Sequence, residues 1–179
     1  MLPPIDAPPI PPIERPVPHL TDADDIDRQK DTERIMAMFS PELRAIVSRI
    51  PIQRVPNITP YVYRGRRVDP TGTYYESESG PGRIEMREDA QDYAGLLLEE
   101  LLHAAHSEYE PFAQDKRRNF QGLWDVLSSL YRGRVPDQLA YDPPHAFTGM
   151  AAQSLTNAPN VPLDLYRYFL PLRQGVLTD

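Results

Sequence analysis

No cysteine occurs in the chain. Disulfide scaffolds, thiol nucleophiles and cysteine-ligated zinc are excluded together, so any metal must rest on His, Asp or Glu. Histidine is scarce too, with four in 179 residues, which makes the search for ligands short. No stretch approaches the ~18 consecutive apolar residues of a membrane-spanning helix, and the first 20 residues lack the basic start and apolar core of a secretory signal. The expectation is a soluble chain with no membrane partner, which would leave its cell only by a specialised secretion route. Positive charge is in deficit: the net charge is −7 and the pI about 5.1, which argues against nucleic acid as a partner. The two local basic clusters, 64–67 (RGRR) and 116–118 (KRR), read as solvated faces.

Proline, by contrast, is abundant and unevenly placed, with 8 of 21 in the first 20 residues. That density removes amide donors and restricts each preceding residue, so 1–20 is expected to be a flexible or polyproline-II leader. A single folded domain is then expected over 21–179.

Within that domain the pattern predicts mixed α+β structure, mostly helical with a short antiparallel sheet. Asp24 to Phe39 reads as a charged helix, and Ser40-Pro41 as the N-cap and first position of another that ends at Pro51. One or two extended segments are expected between Ile52 and Tyr63. Turns at 69–72 and 80–82 bracket two short strands, 73–79 and 83–87. Asp89, assisted by Asp92, is the expected N-cap of a long helix ending at His106, and Gly95 inside it raises the question of a close backbone approach. Further helices are expected over 117–131, 145–155 and 163–174, with loops at 134–144 and 157–162.

The chemistry concentrates in the long helix, where 96–106 reads LLLEELLHAAH. Residues turn about 100° each in an α-helix, so Glu99 and His103 lie about 40° apart on one face and can converge on one ion, with Glu100 beside it. That geometry is what H-E-x-x-H supplies in zinc peptidases, where residues i and i+4 hold zinc and the intervening Glu is the general base. Here the motif reads E-E-x-x-H. A plainer reading remains open, in which Glu99, His103, His106 and Glu110 form the solvent face of an amphipathic helix. His106 is read as a neighbour of the site or as surface, and His19 is given no role. A di-iron bundle site would need two E-x-x-H pairs, and the sequence has one.

The order turn, strand, turn, strand, motif helix over 72–106, followed by 145–151 (HAFTGMA) and 157–172 (NAPNVPLDLYRYFLPL), resembles the zincin metallopeptidases, most of all the catalytic domain of anthrax lethal factor and related domains of bacterial effector and polymorphic toxins. The resemblance spans roughly 70–175. It implies a third ligand at His145, 42 residues after His103, where the family carries Glu. The first ligand differs in the opposite sense, Glu99 for His, so the implied set of Glu99, His103 and His145 still comprises two imidazoles and one carboxylate for Zn²⁺.

By the same resemblance Glu100 is the general base, Tyr141 the phenol assisting at the scissile carbonyl, and the backbone from Arg83 through Met86 the strand that receives an extended substrate. The implied activity is zinc-dependent peptide-bond hydrolysis by an effector or toxin. A protein or peptide would be its substrate, and a cognate inhibitor or delivery protein a further partner. The alternative is a non-catalytic zincin-like binding or structural module without stoichiometric metal, because two ligand changes also fit drift away from activity.

Overall fold

The computed structural model describes residues 22–156 and 161–173. The leader expected over 1–20 lies outside them. The fold is α+β, as the pattern predicted. Helix α1 (Asp22–Met38) leads into α2 (Pro41–Val47), whose N-cap Ser40 accepts from the Leu43 amide. The Ser40 amide and hydroxyl donate to the carbonyls of Leu172 and Pro171, at 2.8 and 2.7 Å. This contact ties the last described segment to the start of α2. No helix among the described residues is long and apolar enough to cross a membrane.

Five short strands follow. β1 (Ile52–Val55), β4 (Gly72–Tyr75) and β5 (Arg83–Arg87) form one sheet in the order β1-β5-β4. The β4–β5 pair is antiparallel, in the register Gly72↔Met86 to Tyr75↔Arg83, as expected. The parallel pairing of β1 with β5 was not foreseen, since a strand of four residues carries no signal of its direction. It overturns one expectation directly: β5 is the central strand with neighbours on both sides, so Arg83 through Met86 cannot offer a free backbone edge to a substrate. That edge belongs to β4. The RGRR cluster, expected only as a charged face, spans the turn and second strand of a separate hairpin, β2 (Tyr61–Tyr63) with β3 (Arg66–Val68). Its two-residue turn holds Arg64 and Gly65 at φ 50° and 73°, the left-handed pair that matches strand twist and favours glycine.

The motif helix, α3 (Tyr93–Glu108), is the hub, packing against α1, α2, β4, β5 and the two helices α4 (Glu110–Arg117) and α7 (Pro143–Leu155). Leu97, Leu101, Leu102, Ala104 and Ala105 are fully buried. Asp92, not Asp89, caps it: the Asp92 carboxylate accepts from the Gly95 amide at 3.1 Å, while Asp89 makes a bidentate pair with buried Arg87 at 2.6 Å. The close approach suspected at Gly95 is that cap, since a Cβ there would stand 2.4 Å from an Asp92 carboxylate oxygen.

The helix expected over 117–131 is present but begins only at Gln121, after a separate helix that was not foreseen. Pro111 lies in the first turn of α4, the chain reverses after it through Asn119 and Phe120 at φ 56° and 59°, and α5 (Gln121–Leu130) follows. A short helix, α6 (Asp137–Tyr141), occupies the expected loop. The last helix is shorter than expected, α8 (Leu163–Tyr168) followed by one 3₁₀ turn over Leu170–Leu172.

Asp115 holds the reversal together. Its carboxylate accepts from the amides of Gly122 (2.6 Å) and Leu123 (3.1 Å) and from the Tyr168 hydroxyl (2.5 Å). It thus serves as a cap for α5 from outside that helix and pins α8 to it. Removing it orphans three donors, so Asp115→Ala is expected to cost about 2–3 kcal/mol, seen as a fall of roughly 5–10 °C in the melting midpoint. A midpoint within about 2 °C of the native chain would show that solvent replaces the carboxylate without loss.

Candidate functional site

The Glu99–His103 face of α3 looks into a cleft of about 480 Å³ bordered by β4, the β2–β3 hairpin and the start of α7. Gly72 at the head of β4 lets the sheet lie close on the helix. A Cβ there would stand 3.2 Å from Glu100 Cγ, Glu100 Oε1 and Met86 Sδ. Strand and helix are fastened farther along by Glu108, which accepts from the Tyr74 hydroxyl (2.7 Å) and the Gly82 amide (2.8 Å). One end of the cleft is closed by Glu76, to which Lys116 pairs and Ser107 donates at 2.5 Å. These partners hold the Glu76 carboxyl below its ordinary pKa.

Glu99, His103 and His145 each offer a ligand atom, and the three atoms lie within 4.8 Å of one another. The Glu99 Oε1 to His145 Nε2 distance is 3.9 Å, and the two imidazole rings stand edge to face with centroids 5.4 Å apart. His145 reaches this position because α7 starts at Pro143, whose fixed φ suits a first helical turn. Its other ring nitrogen, Nδ1, lies 3.0 Å from Asp142 Oδ1. A carboxylate at this position can accept from Nδ1–H and hold the ring with Nε2 toward Glu99. The sequence reading missed Asp142, although a carboxylate three residues before a candidate ligand on a helix start was a usable signal.

Burial sorts the titratable groups. Glu100 is only 7% exposed, and burial, aided by the Glu99 charge, pushes its carboxyl up from 4.5 to about 7, against the opposing Tyr74 amide. The same desolvation pushes His103 down from 6.5 to about 4, leaving a neutral imidazole with a free lone pair at neutral pH. The solvent-face reading of the stripe Glu99, His103, His106 and Glu110 fails, because His106 is buried and His103 is half-buried. Glu110 does not share the helix at all; it opens α4 and pairs with Arg117.

His106 is not a surface residue. It is 2% exposed and stacked face to face on Phe147 at 3.8 Å between centroids, and its Nε2 has no hydrogen-bond partner among the described residues. Tyr141 is placed away from the cleft: it is 64% exposed and lies against Arg64. The phenols that line the cleft are Tyr61 and Tyr74, and Tyr74 is committed to Glu108. Two positions that shape the site, Gly72 and Tyr61, carried no signal in the sequence, because each matters only through a neighbour distant in the chain.

With the geometry so defined, comparison with family models, curated proteins and solved structures returned no match.

Burial also gives His106 a measurable signature. Its pKa is lowered to about 3 in the fold, from an ordinary 6.5. Below about pH 6.5 the unfolded chain takes up a proton that the native chain refuses, so acid favours unfolding through this residue. His106→Phe keeps the stack on Phe147 and removes that term. The variant is expected to lose less stability than the native chain between pH 7.5 and 5, by about 2 kcal/mol at pH 5, in paired denaturant titrations. Parallel pH dependences would show that His106 protonates within the fold.

Proposed function

We propose that the protein is a zinc-dependent peptide-bond hydrolase with a zincin-like site in which the first and third ligands have exchanged chemical type. The observation that carries this reading is the convergence of Glu99, His103 and His145 within 4.8 Å, with buried Glu100 adjoining. The donor set fits zinc. Two neutral imidazoles and one carboxylate offset one of its two charges, and three protein ligands leave a position open, as catalytic rather than structural sites do.

Bound there, zinc would supply Lewis acidity, polarising the scissile carbonyl and lowering the pKa of water. The chain's own groups do the rest. Glu100, with a pKa near operating pH, accepts the proton of the attacking water at a carboxylate oxygen and delivers it to the leaving amine as the C–N bond breaks. Asp142 fixes the tautomer and ring orientation of His145. The open edge of β4, Gly72–Tyr75, receives an extended peptide by backbone pairing. Gly72 keeps that strand close enough for the peptide to lie beside Glu100.

Purified without added metal, the native protein is expected to hold one zinc per chain by elemental analysis. It should cleave members of a mixed peptide library, read by mass spectrometry. Glu99→Ala and His103→Ala should lose both metal and cleavage, whereas Glu100→Gln keeps the metal and loses cleavage, because the amide preserves shape and discards the base. Absence of zinc from the native protein would leave the non-catalytic module as the correct reading. Zinc loss in Glu100→Gln equal to that in His103→Ala would make Glu100 a ligand and refute the assigned roles.

Asp142 supplies a separate check on ligand orientation. Asp142→Ala should weaken zinc binding about 10- to 100-fold in competition with a chelating dye, and Asp142→Asn, which can still accept from Nδ1, should weaken it less. Equal affinities in the native chain and Asp142→Ala would remove Asp142 from the site.

A further inference from the structure

Seven large hydrophobic residues are exposed among those described, and four of them, Tyr61, Val62, Tyr63 and Tyr141, belong to the β2–β3 hairpin or to the helix it touches. Arg64 gathers them. Its guanidinium lies 5.1 Å from the Tyr63 ring centroid and 5.3 Å from that of Tyr141, and it also donates to the Tyr141 carbonyl. On the second strand Arg66 and Arg67 stand opposite Tyr63 and Val62 on alternate faces of the ribbon, both exposed. Tyrosine and arginine are the residue types that anchor protein interfaces, combining large stiff surface with directional donors. The hairpin pairs with no other strand among those described, and a two-stranded hairpin alone is marginally stable, so Arg64 serves as its fastening to α6.

Two facts indicate what covers this patch. It is continuous with the cleft, because Tyr61 lines both, so a polypeptide lying in the cleft passes directly onto the hairpin. It is also basic in a chain of net charge −7, with three arginines within four residues. A basic flank would be repelled there, and a neutral one would leave the guanidinium groups unmatched.

We propose that the β2–β3 hairpin is a second substrate contact that selects polypeptides bearing an acidic flank beside the bond held in the cleft. The hydrolase reading above supplies the bond in question, and the hairpin adds the class of polypeptide.

Binding can be measured apart from turnover. The full-length Glu100→Gln chain is titrated, by fluorescence anisotropy, against three fluorescein-labelled peptides that share one apolar core and carry tetra-Glu, tetra-Gln or tetra-Lys flanks. The tetra-Glu peptide is expected to bind tightest, about 3- to 10-fold better than tetra-Gln for two exposed charge pairs, and the margin should shrink in 0.5 M salt. Adding Arg66→Ser and Arg67→Ser, both exposed sites, should erase the margin, so that tetra-Glu binds no better than tetra-Gln.

Equal affinities for tetra-Glu and tetra-Gln, or a margin that survives loss of both arginines, would overturn the proposal. Tighter binding of a thymidine oligonucleotide than of the tetra-Glu peptide would assign the patch to nucleic acid instead. If the native chain cleaves none of the peptides while the arginine-dependent margin stands, the hydrolase reading fails and the hairpin assignment holds. If it cleaves all of them with no margin, the reverse follows.

Discussion

Burying the leucine face of α3 is the constraint from which the site follows. Each leucine withdrawn from water contributes about 1.5–3 kcal/mol, and Leu97, Leu101 and Leu102 are all at 0% exposure. Helical geometry then leaves no freedom over where the intervening polar residues go. Leu101 and Leu102 can be buried together only if the buried arc is broad, and Glu100 and His106 fall within its margins. The helix therefore draws a carboxylate and an imidazole out of water in order to bury its leucines. The cleft exists because Gly72 lets the sheet settle onto that margin without a side chain between them.

The elements with strong local chemistry could be read from the sequence, and those fixed by distant contacts could not. Ser40-Pro41, the strand pair either side of Gly80-Pro81-Gly82, the motif helix and the helix at 145–155 all carry their own start, stop or period, and all are present. The reversal at Asn119–Phe120 carries none. Phe120, Leu123, Trp124 and Leu127 run on from it in one unbroken helical period, and what sets the start of α5 is Asp115 turning back to take the Gly122 and Leu123 amides. The direction of β1 was equally invisible, since it is set by the Ile84 amide reaching the Pro51 carbonyl.

The same division runs through the site. Glu99 and His103 were legible because four residues on a helix is a fixed geometry. His145 came only from a resemblance across 42 residues, and the segment between, which carries α4, α5 and α6, returns the His145 Nε2 to 3.9 Å from Glu99. Tyr141 was placed by the same reasoning and lies elsewhere. An offset along a loop does not survive when the loop becomes a helix, as 137–141 does in α6. The partners that tune the ligands, Asp142 on one side and Gly72 on the other, act through contact alone.

The electrostatics of the cleft form one connected problem. Glu99 and Glu100 are adjacent carboxylates, one half-buried and one buried, and their mutual repulsion contributes to the raised pKa of Glu100. His103 is held neutral by its own burial and cannot compensate them, so the opposing imidazole is His145, 3.9 Å from Glu99. Lys116 is committed to Glu76 at the far end. A cation between Glu99, His103 and His145 would offset the Glu99 charge directly and so remove the second cause of the raised Glu100 pKa, while burial, the first, persists. Under that arrangement the two influences on Glu100 oppose, the cation favouring the carboxylate and burial the acid, and that opposition is what a group needs to take a proton from water and return it to an amine in the proposed chemistry.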